Sequence, residues 1–91
     1  MHKIIYSPSS LKDLQEIKDF IQKDNPYYAW KVIETIFFFV NMLSIFPLIW
    51  KESNSKSWFR EITEPTFRYK IIYWFDWKDI YISTIFKYKN I

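Results

Sequence analysis

The chain has no cysteine, no glycine and one histidine, His2. Without cysteine it can form neither a disulfide framework nor a thiolate metal site, which fits a reducing, cytoplasmic compartment. Without glycine, the phosphate-cradling loops of dinucleotide and P-loop sites are excluded. A lone histidine near a terminus leaves a Ser–His or Cys–His nucleophile system without an anchored base. The carboxylates are scattered rather than spaced as metal ligands, so neither a metal nor any other cofactor is expected. The opening "MHKIIYSPSS" lacks the apolar core of an export signal. The longest greasy stretch, Val32 to Trp50, is interrupted by Glu34, Asn41 and Pro47 and has no charged flanks, so a membrane span is not expected.

What the chain has in excess is aromatic. Nine Phe, seven Tyr and five Trp make up 23% of its 91 residues, in a composition 49% hydrophobic and 25% charged. That size and balance describe one domain, residues 1–91. Each ring buries about 150–250 Å², more in sum than so small a core can hold, so some rings must be exposed. An exposed aromatic surface predicts a partner. Residues 1–50 carry five Lys and five acidic groups, and residues 51–91 carry eight Lys or Arg against five acidic, so the formal +3 lies in the second half. A basic half suits nucleic acid or an acidic protein, and equally a solvated sheet face.

Residues 3–6, "KIIY", read as a short strand. Ser7-Pro8 supplies an N-cap and then proline at the first helical position, where its missing N–H is not needed. Leu11, Leu14, Ile17 and Ile21 recur three or four apart among charged residues, predicting an amphipathic helix to about Lys23. Asn25-Pro26 repeats the cap signal. In the helix it opens, Ala29, Val32, Ile33, Ile36, Phe37, Val40 and Leu43 form an inner stripe, and the short junction predicts an antiparallel hairpin. Phe38 and Phe39 fall off that stripe and are expected to meet the sheet edge or a partner. "LIWKESNSKS" is turn-rich, with Asn54 the residue expected to accept a left-handed conformation. Three alternating runs follow, "SWFREIT", "FRYKIIYWF" and "IYISTIF", separated by the turns "EPT" and "DWKD". The order is β-α-α-β-β-β: an α+β fold with the N-terminal helical hairpin packed on one face of a small, mainly antiparallel sheet.

The groups left to carry function are cations, Arg60, Arg68, Lys70, Lys87 and Lys89, interleaved with Tyr69, Tyr73 and Tyr88. Cations among aromatics suit RNA, since they hold phosphate while the rings stack on unpaired bases. They could also stabilise the charge that develops when a 2′-hydroxyl attacks a phosphodiester. The same residues could clamp an acidic or aromatic protein segment. Arg60-Glu61 can equally belong to a same-strand or cross-strand ion pair. Whether Arg60 and Lys70 share a sheet face depends on a register the sequence does not fix.

In this order, the pieces resemble the RelE/ParE superfamily of toxins from bacterial type II toxin–antitoxin systems, and its ParE plasmid-stabilisation branch most closely. The resemblance covers nearly the whole chain. "SPSSLKDLQEIKDFI" is similar to the family's first helix, "NPYYAWKVIETI" to its second, "FREI" to its "vREL" strand, and Tyr69-Lys70-Ile71-Ile72-Tyr73 to its "yRivY" strand. "IYISTIFKYKN" resembles the last strand with its "H..R" end, where Phe86 takes the place of the histidine and Lys89 lies near the arginine. The resemblance implies a cytoplasmic α+β toxin that acts without a cofactor. It also implies a cognate antitoxin that wraps the toxin, with DNA contacted only through the antitoxin complex. ParE-like members poison DNA gyrase. RelE-like members are metal-independent endoribonucleases that cut messenger RNA on the ribosome, and for that activity the matching positions here are Arg60, Lys70, Lys89 and Tyr88. Lys70 stands where both branches carry arginine, which keeps the charge and loses the bidentate fork. For target or antitoxin contact the candidates are Phe38, Phe39, Arg60, Arg68, Lys70 and Lys87. A growth inhibitor that binds gyrase is the leading expectation, with a ribosome-dependent ribonuclease, or a non-toxic member acting only as a binding module, as the alternatives.

Overall fold

Both helix caps form as the sequence predicts. In a computed structural model that describes residues 1–52 and 58–89, Ser7 is extended and its Oγ accepts the Ser10 amide at 3.0 Å, opening α1 (Pro8–Gln22). Asn25 does the same for the Tyr28 amide at 3.0 Å, opening α2 (Pro26–Met42). The strands are β1 (Lys3–Tyr6), β2 (Phe59–Glu64), β3 (Tyr69–Phe75) and β4 (Asp79–Lys87). They form one sheet in the order β1-β4-β3-β2, with β1 parallel to β4 and the other pairs antiparallel. The fold is α+β with the expected element order. No helix among the described residues is long and apolar enough to cross a membrane.

The hairpin covers one face of the sheet. Leu14 from α1 and Val32, Ile36, Val40 and Leu43 from α2 meet Ile62, Tyr69, Ile71, Tyr73, Ile80, Ile82 and Ile85. Two positions of the expected stripes lie at its margin instead: Leu11 is 54% exposed, and Phe37 is 40% exposed with its ring edge-on to Tyr6 at 5.9 Å. Phe37 follows fully buried Ile36 by one residue, or about 100° of helix, so both cannot point at the same sheet. Phe39 turns inward, packing on the core and on Trp50 with 6.1 Å between centroids, while Phe38 stays in solvent.

β4 carries a bulge that ties the first helix to the sheet. Ile72 pairs with Thr84 and Tyr73 with Ile82, leaving Ser83 as the extra residue. Such a bulge frees backbone groups from the ladder, and α1 and its cap take them up. Asp13 accepts from the Ile85 amide at 3.0 Å and the Thr84 hydroxyl at 2.8 Å, and the Ser7 hydroxyl donates to the Ser83 carbonyl at 2.9 Å. Among the described residues, positive φ occurs at Arg68 (67°) and Trp77 (74°), both in tight turns. Asn54, expected in that conformation, lies outside the described residues. At Trp77 the Asp76 carboxylate accepts the Lys78 and Asp79 amides at 2.9 and 2.6 Å, and these bonds hold its carboxyl below the usual range.

Buried Tyr73 and half-buried Tyr6 allow a direct test of the packing. The Tyr73 hydroxyl donates to the Pro47 carbonyl at 2.8 Å, whereas the Tyr6 hydroxyl is buried with no partner among the described residues. Burial pushes both up to about 12, in Tyr73 against a smaller opposing pull from Arg60. Unfolded tyrosine ionises near about 10, so the stability these groups contribute is whole below that pH and is lost as pH rises toward 12. Tyr73→Phe should cost about 1–2 kcal/mol in denaturant unfolding by stranding a carbonyl, and Tyr6→Phe should cost nearly nothing. The double variant should show a smaller alkaline step in a pH titration of stability, the remainder coming from core Tyr69, whose hydroxyl burial also pushes up.

Candidate functional site

The β2–β3 register sorts the candidate cations onto different faces. Arg60 pairs with Tyr73, Thr63 with Lys70 and Phe59 with Trp74. Alternation along β2 and β3 therefore turns Arg60, with Ile62, Tyr69, Ile71 and Tyr73, toward the helices, and turns Glu61, Lys70, Ile72 and Trp74 away from them. Arg60 Nη1 donates to the Trp50 carbonyl at 2.6 Å, and the Lys51 carbonyl takes the Glu61 amide at 3.0 Å. Glu52 bridges to Arg60 beside this edge. The arginine thus pins the segment that follows α2 along the outer edge of β2.

Lys70 stands on the open face. Its Nζ lies 3.0 Å from Glu61 Oε2 and 5.5 Å from the centroid of the Tyr88 ring, and Phe86 is its neighbour across β4. The Glu61 side chain is 8% exposed, so this is a nearly buried carboxylate neutralised by one lysine. A row of rings crosses the same face, from Phe59 to Trp74 to Tyr81, the last two stacked at 4.4 Å and 15°. The pairing of Glu61 with Lys70 rather than Arg60 was one of the options the sequence left open, and only the register decides it.

A concavity of about 600 Å³ opens where the hairpin meets the ends of β3 and β4. Ile17, Phe20, Ile21, Tyr28, Phe67 and Tyr69 line it, with Glu16 and Asp24 on the helix side and Lys87 on the sheet side. Lys87 Nζ sits 5.9 Å above the Tyr69 ring, and Tyr28 meets Phe67 edge-on at 5.2 Å. Arg68 is exposed in the adjoining turn, its carbonyl accepting the Tyr88 amide at 2.8 Å, and Lys89 is exposed just beyond. The structure therefore brings Lys70 and Tyr88 together, sets Arg68 and Lys87 by the groove, and leaves Arg60 half-buried on the helix side. Phe38 and Phe39 touch each other at 5.9 Å, but they belong to neither place. Phe20 and Phe67 were not singled out by the sequence; the readable signal was an aromatic next to each turn that borders the groove. Among the described residues no group of carboxylates and histidine is arranged to hold a metal ion.

The fold agrees with comparisons to known proteins. The profile of a family described as "ParE toxin of type II toxin-antitoxin system, parDE" matches residues 4–90. The chain belongs to the ParE toxin family. A solved structure titled "Chromosomal ParDE TA system from P. aeruginosa" superposes with a TM-score of 0.85 at 19% identity, covering 98% of each chain. At that identity the likeness speaks for the shared fold. No curated protein sequence matches significantly.

The ion pair in this ParE-family chain yields a stability prediction. Lys70→Ala leaves a nearly buried carboxylate unpaired and should cost about 1–3 kcal/mol in urea unfolding. Adding Glu61→Gln should recover at least half of that loss, because the amide carries no stranded charge.

Proposed function

We propose that this chain is the toxin of a type II toxin–antitoxin pair, that it inhibits growth by binding DNA gyrase through the open sheet face, and that a cognate antitoxin neutralises it. The observation that carries the reading is the fate of the two central cations. Arg60 is committed to the Trp50 carbonyl on the helix side, and Lys70 is committed to Glu61 on the other. Between them lies a sheet, so they cannot converge on one phosphate. What the open face presents is the ring row of Phe59, Trp74 and Tyr81, large rigid apolar surface of the kind that anchors protein interfaces. On this reading the chain works in the cytoplasm, where its target is.

The groove by Lys87 supports an antitoxin seat. Its apolar floor suits a helix laid in by its greasy stripe, with acidic side chains toward Lys87 and Arg68 and basic ones toward Glu16 and Asp24. The operator DNA is then reached only through that complex. One observation favours a second reading: Lys70, Tyr88 and Phe86 share one face, as a cation and rings that handle RNA would.

A pair of assays on the free chain separates the two. Purified gyrase should lose supercoiling activity and accumulate cleaved DNA complexes when the chain is added, and Trp74→Ala should weaken this by tenfold or more. Messenger RNA in a defined translation reaction should stay intact. Cuts within ribosome-occupied codons, abolished by the stability-compensated Lys70→Ala/Glu61→Gln pair, would replace the gyrase reading with the ribonuclease.

A further inference from the structure

Helix α2 is apolar on two opposite sides. Its inner stripe is sealed against the sheet, and at about 100° per residue the opposite side carries Tyr27, Trp30, Lys31, Glu34, Phe38 and, at its C-terminal end, Asn41. Tyr27, Trp30 and Phe38 are 68%, 57% and 64% exposed. A shallow hollow of about 470 Å³ runs beside them, bordered by Trp30, Glu34 and Phe38. A surface helix normally spends this side on charge; here it holds one cation and one anion, Lys31 and Glu34, 3.8 Å apart. Neither the groove by Lys87 nor the open sheet face includes this surface.

The order of these residues says what fits there. Along the helix it reads aromatic, cation, anion, aromatic at Tyr27, Lys31, Glu34 and Phe38, with gaps of four, three and four residues. That spacing is the same in both directions, about a centre between Val32 and Ile33, while the charges exchange. We propose that this face docks a second copy of the chain, with the two α2 helices antiparallel about a two-fold axis at that level. Lys31 of each copy then faces Glu34 of the other, and Tyr27 faces Phe38, each contact made twice as a two-fold interface requires. Trp30 is left to fill the hollow of the opposite copy. Parallel pairing would set lysine on lysine and glutamate on glutamate, so the charges select the antiparallel arrangement. A foreign helix would need none of this internal symmetry.

Sedimentation velocity on the free chain tests the proposal. The wild type should show a concentration-dependent dimer. Lys31→Glu and Glu34→Lys should each weaken it by about tenfold, since either change replaces two attractive contacts with two repulsive ones. The double exchange Lys31→Glu/Glu34→Lys should return to within about threefold of wild type, and Phe38→Asp should leave monomer with an unchanged far-ultraviolet circular dichroism spectrum. A wild type that stays monomeric at every concentration overturns the proposal, as does a dimer indifferent to Phe38→Asp or a double exchange no tighter than its parents.

Discussion

The buried carboxylate of Glu64 is the interaction on which the functional layout of the sheet depends. It sits at the end of β2, with no exposure to solvent, and accepts the amides of Thr66 at 2.6 Å and Phe67 at 3.0 Å. Those two bonds close a turn that has no glycine to ease it and that runs through Arg68 at a φ of 67°. A left-handed residue with a side chain costs about 1–2 kcal/mol, which bonds from a charged acceptor can offset. Once the turn is closed, Glu64 faces Tyr69 and every later pair follows, from Thr63 and Lys70 to Phe59 and Trp74. A slip of one residue would exchange the two faces of the strand.

From that register come both the core and the surface the toxin presents. With Tyr73 inward, its hydroxyl and the Arg60 guanidinium hold carbonyls of the segment leaving α2, so the hairpin is fastened to the sheet at its far end as well as at Asp13. With Lys70 outward, Glu61 is neutralised in place and the stacked rings of Trp74 and Tyr81 lie half-buried on the open face. This chain thus uses its two central cations for construction, Arg60 on the Trp50 carbonyl and Lys70 on Glu61, and keeps an aromatic row on the open face. Part of the excess of rings noted in the composition lies on the open sheet face, in the groove by Lys87 and on the outer side of α2, and Trp77 is exposed in the turn between β3 and β4.

The local features were legible in the sequence. Ser7-Pro8 and Asn25-Pro26 opened helices because a short polar side chain followed by proline has few other uses, and the alternation in "FREIT" and "YKIIYWF" gave the strands. Phe39 and Phe37 exchanged their expected roles at the margins because a helix stripe has soft edges, and Trp50 supplied a wall for Phe39 that no periodicity reveals. The parallel pairing of β1 with β4 joins residues far apart in the chain, and the bulge at Ser83 depends on Asp13 being at hand; neither leaves a local pattern. The opposite facing of Arg60 and Lys70 also escaped the sequence, since it rests on which amides Glu64 holds. Left-handed Arg68 and Trp77 carried no signal, because neither residue type favours that conformation and carboxylates nearby impose it.

The central claim is that the open sheet face meets a protein target, and the direct measurement is photo-cross-linking from that face in growing cells. With p-benzoylphenylalanine in place of Trp74, the account predicts a covalent adduct with a gyrase subunit, and little of it when the same group replaces Tyr27 on the outer side of α2. Adducts with ribosomal RNA or ribosomal protein from position 74 would contradict the account and place the open face on the ribosome.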